Sequence, residues 1–497
     1  MGLKKWLKEN GIYEEKRVPQ TPNSKPFAIQ SRQPTADELA LGFAIVKDED
    51  GNKVMKLRGV PQSSRATHFY IVGASGTGKT RFLEGLAVQD ARNGNGLGII
   101  DAHSDLTEEF KGLLLLDKMN DETFLHENVV LIDPSDPENT VCFNPLERTD
   151  GMDTDAVAGE LVEVFKKIWA DAWGARMERL LTNTLYALIE NDLTLAELPP
   201  FLMDMKFRRT VLEKVDNALC RDYFENFDAF PLKTQREWSE STLNKVGAFL
   251  GNNKVRQMFV AQKSTFSFRD IMDKQKILLV KLDRGRLKGS ADLLGSLLLA
   301  KIQMTAFART DKLESERKPF YLYVDEFQNF AIESFIETLA QSRKYKLPLI
   351  LAHQQLGQLS AALRASILTN CGLQVYFRVS RADADILAKE SLASIYNNPP
   401  GWEAYIQQLQ ELPPQVCVFK NKNGRDVMMM RTRKLGKAYE IAEMDERIFA
   451  AAVANAEIGK KYLRPRREVE EEYEKRREKL LRHNEAESFK EKKGDPS

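Results

Sequence analysis

HFYIVGASGTGKTRFLEGL, residues 68–86, sets an apolar run against a glycine-rich turn and a helix-forming segment. Gly73-Ala74-Ser75-Gly76-Thr77-Gly78-Lys79-Thr80 satisfies GxxxxGK[ST] in full, after an expected strand and before an expected helix. Glycines let the backbone curl so that successive N–H groups and the helix terminus point at a phosphate, where a side chain would block the approach. Lys79 is then placed to bridge β- and γ-phosphates and Thr80 to offer a hydroxyl to Mg²⁺. The bland alternative is a glycine-rich turn that binds nothing.

Outward from this stretch the chain alternates strand and helix. HFYIVG (68–73), LGIID (97–101) and NVVLID (128–133) read as buried strands, with helices over 81–93 and 106–118 between them. That spacing predicts a parallel sheet with right-handed crossovers. From about 155 to 265 the pattern becomes helical, with almost no β-branched runs, as in LVEVFKKIWADAW and MERLLTNTLYALIE. Strand signals return at KILLVKL (276–282), FYLYVDE (320–326), LPLILAH (347–353), LQVYFRV (373–379) and PQVCVFK (414–420). Each is a short apolar run, as expected for strands buried on both faces. The expected organisation is therefore α/β, a P-loop domain on a mainly parallel sheet in two parts, 61–154 and 266–436, with an all-helical insertion at 155–265. Residues 1–60 form a polar lead-in with a hairpin before Lys53–Leu57. Residues 437–497 form a charged helical tail, whose last 37 residues hold 12 Lys/Arg and 10 Asp/Glu and read as a solvated helix or frayed end, with a partner-docking helix as the other reading.

A P-loop alone does not separate kinases, GTPases and ATP motors. The run PFYLYVDEFQNF ends an apolar strand in Asp325-Glu326, where Asp325 would hold Mg²⁺ and Glu326 would act as general base on the attacking water. No guanine-reading NKxD occurs in the expected place, and the length and insertion favour a mechanical ATPase over a small-molecule kinase. LPLILAH leads into Gln354-Gln355, so Gln354 is a candidate sensor of the γ-phosphate at the carboxyl edge of the sheet. Arg343, within QSRKYKL, either satisfies a helix C-terminus or reaches a neighbouring subunit's ATP as an arginine finger. Asp101, His103 and Asp105 alternate after the strand at 97–101 and invite a metal-site reading. With no further cluster to complete it, a role for Asp101 or Asp105 in capping a helix or positioning magnesium-bound water is the stronger expectation.

Lys plus Arg number 73 against 72 Asp plus Glu among 497 residues, which rules out a uniformly basic nucleic-acid coat but not a local basic path. With 42% hydrophobic and 9% aromatic residues the bulk of the chain should fold. The four cysteines are far apart, with no CxxC, which points to a reducing compartment. The N-terminus lacks a signal-peptide core, and the best apolar stretch, Leu293 to Ala308, is broken by Lys301, so a cytoplasmic protein without a membrane span of its own is expected.

Taken together, THFYIVGASGTGKTRFLEGL, GIIDAHSDL, VCFNPLE, STLNKVGAFLGNNKVRQMF, YLYVDEFQNFA, SRKYKLPLILAHQQLGQL and ILTNCGLQVYFRVSRADADILAKE make the sequence resemble the HerA/FtsK superfamily of ring-shaped DNA-pumping ATPases. Within it the chain is similar to the type IV coupling proteins of conjugation and type IV secretion, over about 65 to 435. The resemblance implies a RecA-like motor that binds ATP and Mg²⁺, with Gly73–Thr80 as Walker A, Asp325 and Glu326 as Walker B, Gln354 as the sensor and Arg343 acting in trans. It also implies a homohexamer with a central channel for DNA, expected to be single-stranded. Relaxase or secretion-channel proteins would be partners, and one of them would supply any attachment at the inner membrane. Membrane-bound members carry N-terminal transmembrane helices, none of which is expected from this sequence, and Ala102 and Ser104 stand where the family pattern has Pro and Gly. A soluble duplex pump working with a nuclease, and an ATP-regulated adaptor that recruits substrates, are the competing functions. Lys281, Arg284, Arg286 and Lys288 are the candidate phosphate-holding residues of a pore loop.

Overall fold

The computed structural model describes residues 29–30, 38–47, 53–118, 121–148, 152–170, 173–332, 334–392, 402–422 and 426–491. In chain order its strands are β1 (Ile29–Gln30), β2 (Glu38–Lys47), β3 (Lys53–Pro61), β4 (Phe69–Val72), β5 (Gly96–Asp101), β6 (Val129–Ile132) and β7 (Asn139–Thr140). After a long helical stretch come β8 (Ile277–Lys281), β9 (Phe320–Asp325), β10 (Leu349–His353), β11 (Leu373–Tyr376), β12 (Val416–Asn421), β13 (Asp426–Thr432) and β14 (Arg464–Pro465). Twelve of them form one sheet in the order β1-β3-β2-β13-β12-β11-β4-β10-β9-β5-β8-β6. The seven strands from β11 to β6 are parallel to one another. β12, β13, β2 and β3 extend this sheet in antiparallel fashion. The extension was not foreseen: DVMMMRT has no β-branched run, yet as β13 it bridges β12 to the N-terminal hairpin.

The apolar runs are continuous because both faces of the parallel strands are covered. On β4, Tyr70 and Val72 face one core, while Phe69 and Ile71 face the other. The second core is closed by the helices Lys79–Arg92 and Asp105–Lys118, through Phe82, Leu83, Leu86, Phe110 and Leu113. The first core takes the helix Gly289–Phe307 and runs on into the helical segment, where every regular element between Thr154 and Phe259 among the described residues is helical. Gly289–Asp311 is long and apolar enough to cross a membrane, but 89% of its most apolar window is buried inside the protein. It shares a core with the sheet strands and packs on the helix Thr154–Ile168, so it is a core helix. The four cysteines are free and buried.

The charged tail is docked where it begins. β14 pairs with β7, and Val469 is 1% exposed. Arg466 donates to the carbonyls of Asp136 (2.9 Å), Pro134 (3.1 Å) and Lys254 (2.9 Å) and to Gln257 Oε1 (3.0 Å). Further along the helix Arg466–Glu491, Glu470 pairs with Arg256 at 2.6 Å and Arg476 with Glu197 at 2.8 Å. The expectation of a wholly solvated helix fails for this first half: its arginines satisfy carbonyls on the α/β domain and the helical segment together.

Candidate nucleotide-binding and hydrolytic site

The loop between β4 and the helix Lys79–Arg92 follows from its glycines. Gly76 and Gly78 adopt φ of 73° and 108°, which side chains rarely tolerate. A Cβ on Gly73 would lie 2.5 Å from Phe377 Cβ on the chain leaving β11. The loop is pinned from outside: Ala74 N–H donates to Arg378 O (2.8 Å), and Thr77 O accepts from Gln415 N–H (2.8 Å). Thr77 Oγ1 donates to Ala74 O (2.7 Å), closing the curl. The helix then starts at Lys79, aiming its free N–H groups and the positive end of its dipole at the loop. Lys79 is 6% exposed, and its ammonium donates to Ala74 O at 3.3 Å. Burial lowers its pKa, against the opposing charges of Glu326 and Asp325.

Sheet order brings the second half of the site to the first. β10 lies between β4 and β9, with His353 paired to Val72 and Ala352 to Asp325. The strand ends thus place Gly73, Gln354 and Asp325-Glu326 side by side, although Gly73 lies about 250 residues before the carboxylate pair and further still before Gln354. Thr80 Oγ1 donates to Asp325 Oδ2 at 3.3 Å. Burial raises the Asp325 carboxyl to about 7, helped by the charges of Glu326 and Asp101. Glu326 sits at φ 50°, and its N–H donates back to Asp325 Oδ1 (3.0 Å). Its two oxygens are held separately, Oε1 by Gln354 Nε2 (2.9 Å) and Oε2 by Gln328 Nε2 (2.8 Å).

Beneath this row, Tyr70 Oη and His353 Nε2 lie 2.6 Å apart, tying β4 to β10. Burial first, then the charge of Lys79, pushes the His353 pKa down to about 3, so the ring is neutral. Neither Gln328 nor the Tyr70–His353 pair was singled out from sequence. Gln328 carries no motif, and the pair is visible only once β4 and β10 are known to be neighbours.

Other candidates are sorted by their contacts. Asp101 is buried, and its oxygens accept from His103 N–H (2.9 Å) and Thr107 N–H (2.8 Å), a capping role for the helix Asp105–Lys118. Burial raises its pKa. The His103 side chain is exposed, and no group of three His, Cys, Asp or Glu among the described residues is placed to hold a metal ion. Ser104, where the family pattern has glycine, keeps the turn at φ 77°. Of the pore-loop candidates, Lys281 lies between Glu108 (2.8 Å) and Asp133 (3.0 Å), and Arg284 pairs with Asp292 (2.7 Å). These two are engaged within the chain, whereas Lys288 is exposed and Arg286, also exposed, pairs with Asp283 at 3.2 Å. Arg343 is exposed on the turn entering β10, at the end opposite Gln354. Three residues on, Lys346 O accepts from Phe320 N–H at the start of β9. A five-residue strand spans roughly 16 Å, so Arg343 stands far from its own P-loop.

The residues fit a magnesium–nucleotide. The glycine curl leaves open space above Gly76, a buried ammonium faces two carboxylates, and a threonine hydroxyl touches the first of them. Fold and site together define a P-loop NTPase with a carboxylate pair on a separate strand. The profile of the type IV secretion-system coupling protein DNA-binding domain matches residues 54–394, more than half the chain, and the chain belongs to that family. Solved structures of the plasmid coupling protein TrwB resemble it. The complex with ADP and Mg²⁺ is 16% identical, covers 84% of this chain and 97% of TrwB, and has a TM-score of 0.54. The complex with the GTP analogue GDPNP is 15% identical, covers 85% and 99%, and has a TM-score of 0.55. VirB4 of Thermoanaerobacter pseudethanolicus is 13% identical over 81% of this chain and 98% of that one, with a TM-score of 0.48. At these identities the likeness to TrwB is one of fold. No curated protein sequence matches the chain.

Proposed function

We propose that the chain is an ATP-hydrolysing DNA translocase of the coupling-protein kind, working as a homohexameric ring that moves DNA, single-stranded by preference, through its channel in conjugative transfer. The observation that carries this is the row of Gly73–Thr80, Gln354, Asp325 and Glu326 along one sheet edge, with Arg343 exposed at the other. In this reading the loop amides and Lys79 bind the phosphates, while Thr80 and Asp325 hold Mg²⁺, which supplies positive charge to the phosphate oxygens. Glu326, oriented from two sides by Gln354 and Gln328, takes a proton from the attacking water. Gln354 also sits where a γ-phosphate would meet it, so the hydrogen bond to Glu326 links nucleotide state to base orientation. Arg343 serves the neighbouring subunit's nucleotide, since its own lies at the far end of the strand. A relaxase or a secretion-channel protein would hold the ring at the inner membrane.

ATP turnover measured with single-stranded DNA, duplex DNA and no DNA tests the motor. Stimulation by DNA, greatest with single strands, is expected, and turnover indifferent to DNA would refute it. Lys79→Ala is expected to abolish turnover while keeping its thermal melt. Arg343→Ala rings should bind nucleotide without hydrolysing it, and should regain turnover when mixed with Glu326→Gln subunits.

A further inference from the structure

The turn that follows Glu326 is held by the helical segment. Phe327–Asn329 forms a single 3₁₀ turn directly after the carboxylate pair. Lys167, in the last turn of the helix Thr154–Ile168, donates its amine to Asn329 O (2.8 Å) and Gln328 O (3.4 Å). Two turns earlier on that helix, Glu160 Oε1 accepts from Ser334 Oγ (2.8 Å), beyond the other end of the same loop. Ser296 Oγ, on the helix Gly289–Phe307, donates to Phe330 O (3.0 Å). Gln328, whose backbone Lys167 grips, is also the residue whose side chain holds Glu326 Oε2.

This chain of contacts matters because the backbone of Glu326 occupies the less favourable left-handed well. Its φ of 50° lies in the left-handed region, which is unfavourable for a side-chain-bearing residue and persists only when the surroundings impose it. The surroundings on one side are Gln354, from the strand next to the P-loop. On the other side they are Gln328, whose placement depends on a lysine more than 150 residues earlier in the chain.

We propose that Lys167 is a positioning residue for Glu326, the link through which the helical segment sets the orientation of the hydrolytic carboxylate. The proposal rests on the reading of Glu326 as general base. A shift of the helix Thr154–Ile168 draws Lys167 off the two carbonyls, frees the turn and lets Gln328 leave Glu326 Oε2. Hydrolysis is then fast only while the helical segment is seated. The amine can reach both carbonyls charged or neutral, since either form has at least two protons to donate, the charged form donating more strongly. This fits its setting, where burial, opposed by Asp292 and reinforced by Arg284, lowers its pKa to about 7.

Steady-state turnover of Mg·ATP and equilibrium binding of an ATP analogue are measured on Lys167→Met, Lys167→Arg, Gln328→Ala and the double variant Lys167→Met/Gln328→Ala. Methionine keeps the packing of the stem and removes the donors. A small misplacement of a catalytic group costs up to about a hundredfold, so kcat of Lys167→Met and of Gln328→Ala should each fall about ten- to a hundredfold. Analogue binding should be unchanged, arginine should restore most of the rate, and the double variant should lose no more than the worse single one, since the two residues act in series. Full turnover in either single variant, or losses that multiply in the double, would overturn the link. Glu326→Gln is assayed beside them: if it retains turnover, the reading of Glu326 fails, an outcome distinct from failure of the link. Should the melt show Lys167→Met unfolded, Lys167→Arg and Gln328→Ala decide, and normal kcat in Gln328→Ala refutes the proposal.

Discussion

Replacing Arg65 by methionine is expected to loosen the P-loop helix from the strand that carries the carboxylates. Arg65 and Asp90 are 2% and 0% exposed and meet in a two-pronged ion pair, Nη1–Oδ1 and Nη2–Oδ2 both at 2.6 Å. Asp90 sits on the helix Lys79–Arg92, and its Oδ2 also accepts from Tyr323 Oη of β9 (2.5 Å). Arg65 in turn stacks over the Tyr321 ring at 3.7 Å and donates to Tyr323 Oη at 3.1 Å. Removing one partner of a buried pair costs about 3–5 kcal/mol, because the other is left charged without compensation. Asp90 would keep Tyr323 Oη and Asn95 Nδ2 (2.9 Å), which places the loss at the lower end, about 3 kcal/mol. At roughly 2–4 °C per kcal/mol for a unit of this size, the melting midpoint should fall by about 6–12 °C. Thermal unfolding followed by circular dichroism reads it. The double variant Arg65→Met/Asp90→Leu removes both charges and should recover most of the loss. A fall of under about 2 °C in the single variant, or no recovery in the double, would refute the reasoning.

Gly73→Ala should fold but bind an ATP analogue at least about tenfold more weakly, because a Cβ 2.5 Å from Phe377 Cβ and 3.2 Å from Thr77 Oγ1 must push the loop aside; titration calorimetry checks it. Burial, partly offset by Arg81, raises the Glu84 carboxyl to about 7. The native state therefore holds this proton more tightly than the unfolded chain, and the stabilisation, present below about pH 4.5, is lost as pH rises through about 7, by on the order of 2–3 kcal/mol. Glu84→Gln should flatten the decline in melting temperature between pH 5 and 8, and parallel curves for the two proteins would count against it. Arg466→Ala leaves three carbonyls without their shared donor, so limited proteolysis should cut the tail and the helical segment faster than in the parent protein, with ATP-analogue binding retained.

Much of the α/β domain was legible because its signals are local. A buried parallel strand needs a short apolar run, and the runs at 68–73, 97–101, 320–326 and 347–353 became β4, β5, β9 and β10. The phosphate loop was legible for the same reason: positive φ at Gly76 and Gly78 is a demand on single residues. β13 escaped notice because its strand character comes from pairing with β12 and β2, which methionines accept but do not advertise.

The residues themselves thus determined the strands, the glycine curl, the carboxylate pair and the glutamine. Which of these meet was decided only when β10 inserted between β4 and β9, because sheet order depends on how distant segments share two cores and not on any one run. Charge shows the same division most plainly. Lys281 and Arg284 looked free in sequence and are bound to Glu108, Asp133 and Asp292 in the fold. Lys167 carries no signal of its own in the sequence, yet it grips the turn behind Glu326. A side chain's type is local information; its partner is set by packing.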